Sequence, residues 1–291
     1  MILPHSKKLR FANKSPGKVI LAAAGPGDPD LITIKAADAL RGADVVLTDR
    51  LVSEVILHRY VPASAKIIFV GKEYRKKVST PQQKINSLIV EYALQGKNVV
   101  RLKGGDVSIF SNILDELKEL VANNITYEII PGVTSALGAA AYAGIPLTAR
   151  GYSTAVRFLT YYKSDVVTEA YWQELAKTTD TLVFYMSAST IETVIEKLSD
   201  YGIAEDVQVA VAEQATTCFQ KIHTCNIYEF ETKLKGKKFI SPSLVIIGKV
   251  AALHEQFKWL AGDGGTEQYF ASVNDRNNKI YEITNAIKNV V

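Results

Sequence analysis

The chain has 291 residues, of which 47% are hydrophobic, and this is enough for one large domain or two ordinary domains around a substantial core. The net charge is only +4, from 34 lysines and arginines against 30 acidic residues, and this balance gives no indication of a nucleic-acid partner. The two cysteines lie seven residues apart without a histidine cluster, so the sequence indicates neither a disulfide scaffold nor a zinc site.

The first 16 residues are expected to form a loose basic tail, because they carry scattered cationic side chains without the apolar core of a signal peptide. Nowhere does the sequence approach the roughly 18 uncharged apolar residues that are needed to cross a bilayer. We therefore expect no membrane partner and a cytoplasmic protein.

In the first half of the chain, apolar runs alternate with helical segments. Four of the five runs are nearly all apolar, which is typical of strands that are buried on both faces. The predicted strands are 19–21, 45–47, 67–70, 99–102 and 127–130. Between the third and fourth runs, residues 81–96 place apolar side chains three and four positions apart, and this spacing predicts an amphipathic helix.

The same alternation resumes after Gly151, with predicted strands at 158–160, 181–185, 207–211 and 244–247. A second α/β unit is therefore expected, with a ligand cleft where the two units meet. The predicted divisions are an N-terminal tail at 1–16, an N-terminal domain at 17–132, a C-terminal domain at 133–258 and a C-terminal extension at 259–291.

Three glycine-containing loops, 24–29, 101–106 and 131–136, directly follow predicted strands. Glycine lets a backbone turn sharply and approach a ligand, and open α/β sheets bind small molecules at the carboxyl ends of their strands. The first loop has neither the GxGxxG nor the GxxxxGK[ST] spacing, so a nucleotide phosphate is not its expected ligand. We expect the three loops to form one site.

Most of these features also have a structural interpretation. Asp28 can cap a helical turn, and Thr134 or Ser135 can cap the helix that follows. Asp49 can form a turn salt bridge instead of acting as an acid or base. For a ligand, the turn at 104–106 is expected to offer two exposed backbone amides and a carboxylate.

Residues 71–77 carry four cations against one anion after the third predicted strand. Such a run is usually solvated surface, but at the end of a strand it also suits a substrate with several carboxylates.

Taken together and in this order, over roughly residues 17–255, the motifs resemble those of the tetrapyrrole methylase family, and within it the enzymes that act on uroporphyrinogen III. The resemblance implies two α/β domains with the ligand cleft between them, a homodimer, and S-adenosylmethionine bound in that cleft. The matching segments are 25–33, 43–46, 49–52, 70–72, 101–106, 131–136, 143–148, 185–186, 212–217 and 241–244.

The resemblance also implies roles for individual residues. The cofactor site would be lined by Pro26, Gly104, Gly105, Asp106, Ile109, Thr134, Ser135, Met186 and Ala215. The proton-handling pair would be Asp49, as the base, and Lys72. The tetrapyrrole would meet Asp28, Arg50, Arg75, Asn112 and Arg150.

The implied reaction transfers methyl groups to two pyrrole carbons of uroporphyrinogen III, without a metal, and yields precorrin-2 and S-adenosylhomocysteine on the way to sirohaem or a corrinoid. Several residues depart from the family pattern in segments that are expected to face a ligand. They are Ala23, Val107, Asn112, Ala149 and the pair Tyr161-Tyr162. These departures keep two alternatives open: a methylase of a later precorrin, and a non-catalytic descendant that binds the cofactor or a porphyrin.

Overall fold

Two five-stranded sheets, each flanked by helices, organise the computed structural model, which describes residues 15–70, 72–73, 78–161, 167–260 and 268–270. The strands are β1 (Val19–Ala23), β2 (Val45–Thr48), β3 (Lys66–Phe69), β4 (Lys72–Glu73), β5 (Val78–Ser79), β6 (Val99–Lys103), β7 (Tyr127–Ile130), β8 (Val156–Thr160), β9 (Thr181–Tyr185), β10 (Gln208–Glu213), β11 (Lys221–Asn226) and β12 (Ser243–Gly248). The α-helices are α1 (Ile34–Arg41), α2 (Glu54–Tyr60), α3 (Gln82–Leu94), α4 (Ile113–Ala122), α5 (Ser135–Tyr142), α6 (Glu169–Lys177), α7 (Ile191–Asp200), α8 (Phe230–Lys233) and α9 (His254–Phe257).

The first sheet has the order β3-β2-β6-β1-β7, and all of its strands are parallel. Its strands are the five that the apolar runs predict in the first half of the chain. The central strands β1, β2 and β6 are almost completely buried. Because the strands are parallel, the loops that follow β1, β2, β6 and β7 all leave from the same edge of the sheet.

The second sheet has the order β11-β10-β12-β9-β8, and only its β8–β9 pair is parallel. Strand β11 was not predicted, because it forms the edge of the sheet and five of its six residues are only half-buried, so it lacks an apolar run. The short hairpin of β4 and β5 was not predicted either.

Helix α5 joins the two sheets, since it follows the last strand of the first sheet and packs on the second. Its Ala136, Ala139 and Ala140 belong to the same buried cluster as Val183 and Ile246 of the second sheet. This packing agrees with a division near residue 132, which stays a prediction. Within the described part of the chain, no helix has the length and apolar character needed to cross a membrane.

Candidate active site

The loops after β1, β6 and β7 are joined directly to one another. Gly25 and Gly105 exchange two backbone hydrogen bonds, with N···O distances of 3.1 and 2.7 Å. The Asp106 carboxylate accepts a hydrogen bond from the Gly132 N–H at 3.0 Å. The three loops that the sequence analysis grouped therefore meet at one edge of the first sheet.

The expectation that the turn at 104–106 offers two exposed amides is wrong for Gly105, because its N–H is already bonded to Gly25. The Asp106 carboxylate is also engaged, with its second oxygen accepting from Ser108 N–H at 2.7 Å. The two glycines instead allow close approach: a Cβ on Gly104 would lie 2.8 Å from Leu51 Cβ, and Gly105 has a φ of 69°.

Asp28 holds the first loop against both halves of the molecule. One carboxylate oxygen accepts from Asp30 N–H at 2.8 Å and the other from the Tyr142 hydroxyl at 2.5 Å, while the Asp28 N–H donates to Thr216 Oγ1 at 3.0 Å. Burial, followed by the bond to Asp28, raises the pKa of Tyr142 to about 12. The helix-cap interpretation of Asp28 is confirmed, and the preceding Pro26 packs against Gly138 of α5.

On the other side of the cleft, the Tyr185 hydroxyl at the end of β9 organises the start of α5. It lies 2.7 Å from Thr134 Oγ1 and accepts from Ala136 N–H at 3.1 Å. The rings of Phe110 and Phe158 lie 5.0 and 5.9 Å from the Tyr185 ring. Burial raises the pKa of Tyr185, so this phenol stays protonated and serves as a neutral brace.

Positive φ angles occur at several non-glycine residues around the cleft. They are Phe110 (50°), Asn112 (54°), Met186 (55°), Gln214 (46°) and Thr216 (65°). A β-branched residue such as Thr216 rarely adopts this region, and such strain concentrates at ligand sites. The side chains of Met186 and Phe110 are 56% and 42% exposed, although both are large and apolar. Two of these strained positions therefore leave large apolar side chains exposed beside the joined loops.

The other predicted cofactor residues lie along the same loops. Ile109 and Ala215 are half-buried against the cluster that contains α5, and the Ala215 carbonyl lies within 3.0 Å of where a Cβ on Gly27 would be. Ser135 begins α5, and its Oγ lies 3.2 Å from where a Cβ on Gly105 would be. The structure thus gathers all the predicted cofactor residues around the junction of the two sheets.

Asp49, the predicted base, follows β2 and is half-buried, with Oδ1 accepting from Leu51 N–H at 3.0 Å. Lys72 lies on β4, where only the backbone is described, and Arg75 lies outside the described residues. Arg50 donates to Ser241 Oγ at 3.5 Å and so reaches across to the loop before β12. Arg150 is exposed between α5 and β8.

The sequence analysis missed a buried charge cluster beneath the loop after β6. Glu116 of α4 pairs with Arg101 Nε at 3.1 Å and with Lys103 Nζ at 2.7 Å. Lys103 also donates to the Ser111 carbonyl at 2.6 Å. Burial lowers the pKa of Lys103, and Arg101 adds to this effect, whereas Glu116 and Asp49 oppose it. The signal in the sequence was two cations at alternate positions of an otherwise apolar strand.

The departures from the family pattern have local reasons. Asn112 precedes α4 with left-handed backbone, which asparagine tolerates better than most residues, and its amide donates to Asp115 Oδ2 at 3.1 Å. The prediction that the departures fall in segments facing a ligand stays a prediction, but three of the described side chains are themselves buried. Ala23 and Val107 are fully buried, and Tyr161 packs in the second-sheet core at 5.2 Å from the Trp172 ring. Tyr162 lies outside the described residues.

The fold and these loops define a tetrapyrrole methylase. The family model for tetrapyrrole (corrin/porphyrin) methylases matches residues 18–231, and the chain belongs to this family. The predicted family and fold are thereby confirmed, together with the S-adenosylmethionine dependence that the family implies.

The names of individual relatives are more specific than the name of the family. The chain is 42% identical to a siroheme synthase of Pseudomonas fluorescens strain SBW25 over 248 residues, which cover 85% of this chain and 53% of the relative. A siroheme synthase of Saccharophagus degradans is 43% identical over 243 residues, which cover 84% of this chain and 53% of the relative. The chain thus spans about half the length of the curated relatives it matches.

Solved structures show the same fold. Uroporphyrin-III C-methyltransferase from Thermus thermophilus superposes with a TM-score of 0.69 at 29% identity, covering 84% of this chain and 98% of that one. A cobalt precorrin-4 methyltransferase superposes with a TM-score of 0.70 at 27% identity, covering 80% of this chain and 95% of that one. The Thermus enzyme complexed with S-adenosylhomocysteine superposes with a TM-score of 0.65 at 30% identity, covering 80% of this chain and 93% of that one.

Proposed function

We propose that this protein methylates uroporphyrinogen III at two pyrrole carbons, producing precorrin-2 and S-adenosylhomocysteine for sirohaem or corrinoid synthesis. The observation that carries the proposal is the joining of the loops after β1, β6 and β7 into one cleft wall. The siroheme synthase relatives and the Thermus uroporphyrin-III C-methyltransferase support this choice of substrate.

The described residues fit the methyl donor. Exposed Met186 and Phe110 provide apolar surface for an adenine ring or thioether. The Thr134 hydroxyl is fixed by Tyr185 at the start of α5, so it is oriented before a ligand arrives. S-Adenosylmethionine, when bound, supplies a methyl group that its sulfonium already activates.

The remaining chemistry is proton removal and orientation of the acceptor carbon. Asp49 is our candidate for the base that takes the ring proton, because its carboxylate lies at the end of β2 and its loop is braced by the bond to Leu51 N–H. Lys72 is the proposed partner in proton handling. Asp28 and Asn112 are further proposed contacts of the substrate. Its eight carboxylates would meet an electropositive rim of Arg50, Lys72, Arg75, Lys76, Lys77 and Arg150.

A methylase of a later precorrin is the second candidate. The cobalt precorrin-4 methyltransferase superposes as well as the uroporphyrin enzyme does. Asn112 is one of the departures, since the resemblance implies an arginine at this position. Asparagine cannot form the paired charged hydrogen bonds that arginine makes with a carboxylate, so the substrate contacts differ at this position.

The test is anaerobic incubation of the purified protein with S-adenosylmethionine and freshly generated uroporphyrinogen III, followed by mass spectrometry of the product. We expect a gain of two methyl groups. No gain with uroporphyrinogen III, but a gain with a later precorrin, would establish the second candidate. Binding of S-adenosylmethionine without methylation of uroporphyrinogen III or of a later precorrin would indicate a non-catalytic descendant. The homodimer and the cytoplasmic location stay predictions.

A further inference from the structure

Tyr269, in the predicted C-terminal extension, contacts one loop of each sheet. Its hydroxyl lies 2.8 Å from Ser53 Oγ, and its backbone N–H donates to Gln214 Oε1 at 2.7 Å. The Tyr269 ring packs at 5.0 Å from Phe270 and at 6.5 Å from Phe219. Phe270 is itself buried, so this short segment is anchored in the body of the protein.

Ser53 closes the loop that begins at Asp49. It occupies the N-cap position of α2, where a serine side chain ordinarily accepts a hydrogen bond from the first turn of the helix. Here the Ser53 side chain makes no capping bond, although it is buried, and its hydroxyl meets Tyr269 instead. The end of the Asp49 loop is therefore held by the extension.

Gln214 lies on the opposite side of the cleft, directly before Ala215. It is fully buried with a φ of 46°, and its backbone N–H donates to the Pro242 carbonyl at 2.7 Å. Its side-chain oxygen accepts from Tyr269 N–H. The same tyrosine thus contacts the loop of the proposed base through its hydroxyl and the loop of the proposed cofactor residue through its backbone.

We propose that Tyr269 is a positioning residue for methyl transfer, in which the phenol sets the position of the Asp49 loop and the backbone N–H sets that of the Ala215 loop. This inference rests on the proposed function of the cleft. The two bonds are separable, because replacing tyrosine by phenylalanine removes only the hydroxyl. That change loosens the Asp49 side and leaves the bond to Gln214 in place.

The test compares Tyr269→Phe with the wild type in steady-state methylation assays. We expect kcat to fall about three- to tenfold, the size of one lost neutral hydrogen bond, while KM for S-adenosylmethionine stays within about twofold. Ser53→Ala should reproduce the loss, and the double variant should be no slower than either single variant. The matched control is Tyr228→Phe, whose hydroxyl donates to the Ile203 carbonyl at 2.6 Å, and it should keep the wild-type kcat.

Unchanged kcat in Tyr269→Phe, or independent losses that multiply in the double variant, would overturn the proposal. Amide hydrogen exchange supplies a readout that needs no turnover: exchange at Leu51 and Ile56 should quicken in Tyr269→Phe and not in Tyr228→Phe. If the wild type fails to methylate uroporphyrinogen III, the proposed function fails. The positioning role is then tested by hydrogen exchange alone, and unchanged exchange rates of the Leu51 and Ile56 amides in Tyr269→Phe would refute it.

Discussion

The two sheets support their cleft loops in different ways. Beneath the loop after β6, the first sheet buries three charges, on Arg101, Lys103 and Glu116. At the start of α5, the second sheet relies instead on apolar packing and on a neutral phenol, Tyr185, whose hydroxyl bonds to Thr134 and Ala136. Its buried carboxylate, Glu213, lies apart from this contact, at the end of β10, where it pairs with His223. The charged support lies on the side of the proposed base, and the neutral support lies on the side of Met186 and the start of α5.

The difference has a physical consequence for each side. A buried ion cluster gains much of its stability only while every charge has its partner, so removing one charge is costly. A neutral phenol loses only its hydrogen bonds when the hydroxyl is removed. Removing a charge from the Arg101–Lys103–Glu116 cluster should therefore lower the free energy of unfolding strongly. Removing the Tyr185 hydroxyl should lower it only mildly.

The largest expected effect is that of Glu116→Gln, which keeps the shape of the side chain but leaves Arg101 and Lys103 buried without a counter-charge. We expect the free energy of unfolding to fall by about 3–5 kcal/mol, measured by urea denaturation. Glu119→Gln, at an exposed position of the same helix, should change it by less than about 0.5 kcal/mol. A similar small change in both variants would remove the distinction between the two supports.

The next effect concerns activity. Asp49→Asn should lower kcat about 100-fold, because it removes the proposed base while keeping an oxygen that can accept from Leu51 N–H. Binding of S-adenosylhomocysteine, measured by calorimetry, should stay near the wild-type value. Asp38→Asn, on the exposed surface of α1, is the control. Intact turnover in Asp49→Asn would show that another group removes the proton.

On the neutral side, Tyr185→Phe should cost about 1–2 kcal/mol of unfolding free energy, because Thr134 Oγ1 and Ala136 N–H lose their partner. It should also raise KM for S-adenosylmethionine more than it lowers kcat. Tyr201→Phe, which removes an exposed hydroxyl that donates to Glu169, serves as the control. A loss as large as that of Glu116→Gln would contradict the comparison.

The smallest effect is a pH dependence at Glu213, the one buried carboxylate of the second sheet among the described residues. Burial disfavours the charged form of Glu213, but His223, the Ile240 N–H and Lys237 outweigh it, and the pKa lies below its usual 4.5. A depressed carboxyl pKa contributes stability that is complete above pH 4.5 and is lost as the pH falls through the folded-state value.

Glu213→Gln should therefore be less stable than the wild type near neutral pH, and the difference should shrink as the pH falls below about 4.5 in urea titrations. Glu229→Gln is the control. The pKa of Glu229 is also lowered, by its bond to Lys233, but the side chain is exposed, so solvent screening should leave a smaller change of stability with pH. A difference between wild type and Glu213→Gln that stays constant with pH would exclude this contribution.

Much of the fold follows from local patterns. The apolar runs predicted the five strands of the first sheet, four strands of the second, and helix α3 to within two residues at each end. The missed elements have too little burial to leave a pattern, as in the edge strand β11. The antiparallel pairing of β9, β10 and β12 was also beyond prediction, because an apolar run reports how deeply a strand is buried and not which strand lies beside it.

The sequence by itself determined the family, the order of the strands along the chain and the loops that carry the site, because these depend on residues that are close together in the chain. Only the tertiary structure decided how those loops are held. Glu116 meets Lys103, Tyr185 meets Thr134 and Tyr269 meets Ser53. A hydrogen bond or a buried ion pair depends on distances of about 3 Å in space, and spacing along the sequence does not report such distances between separate elements.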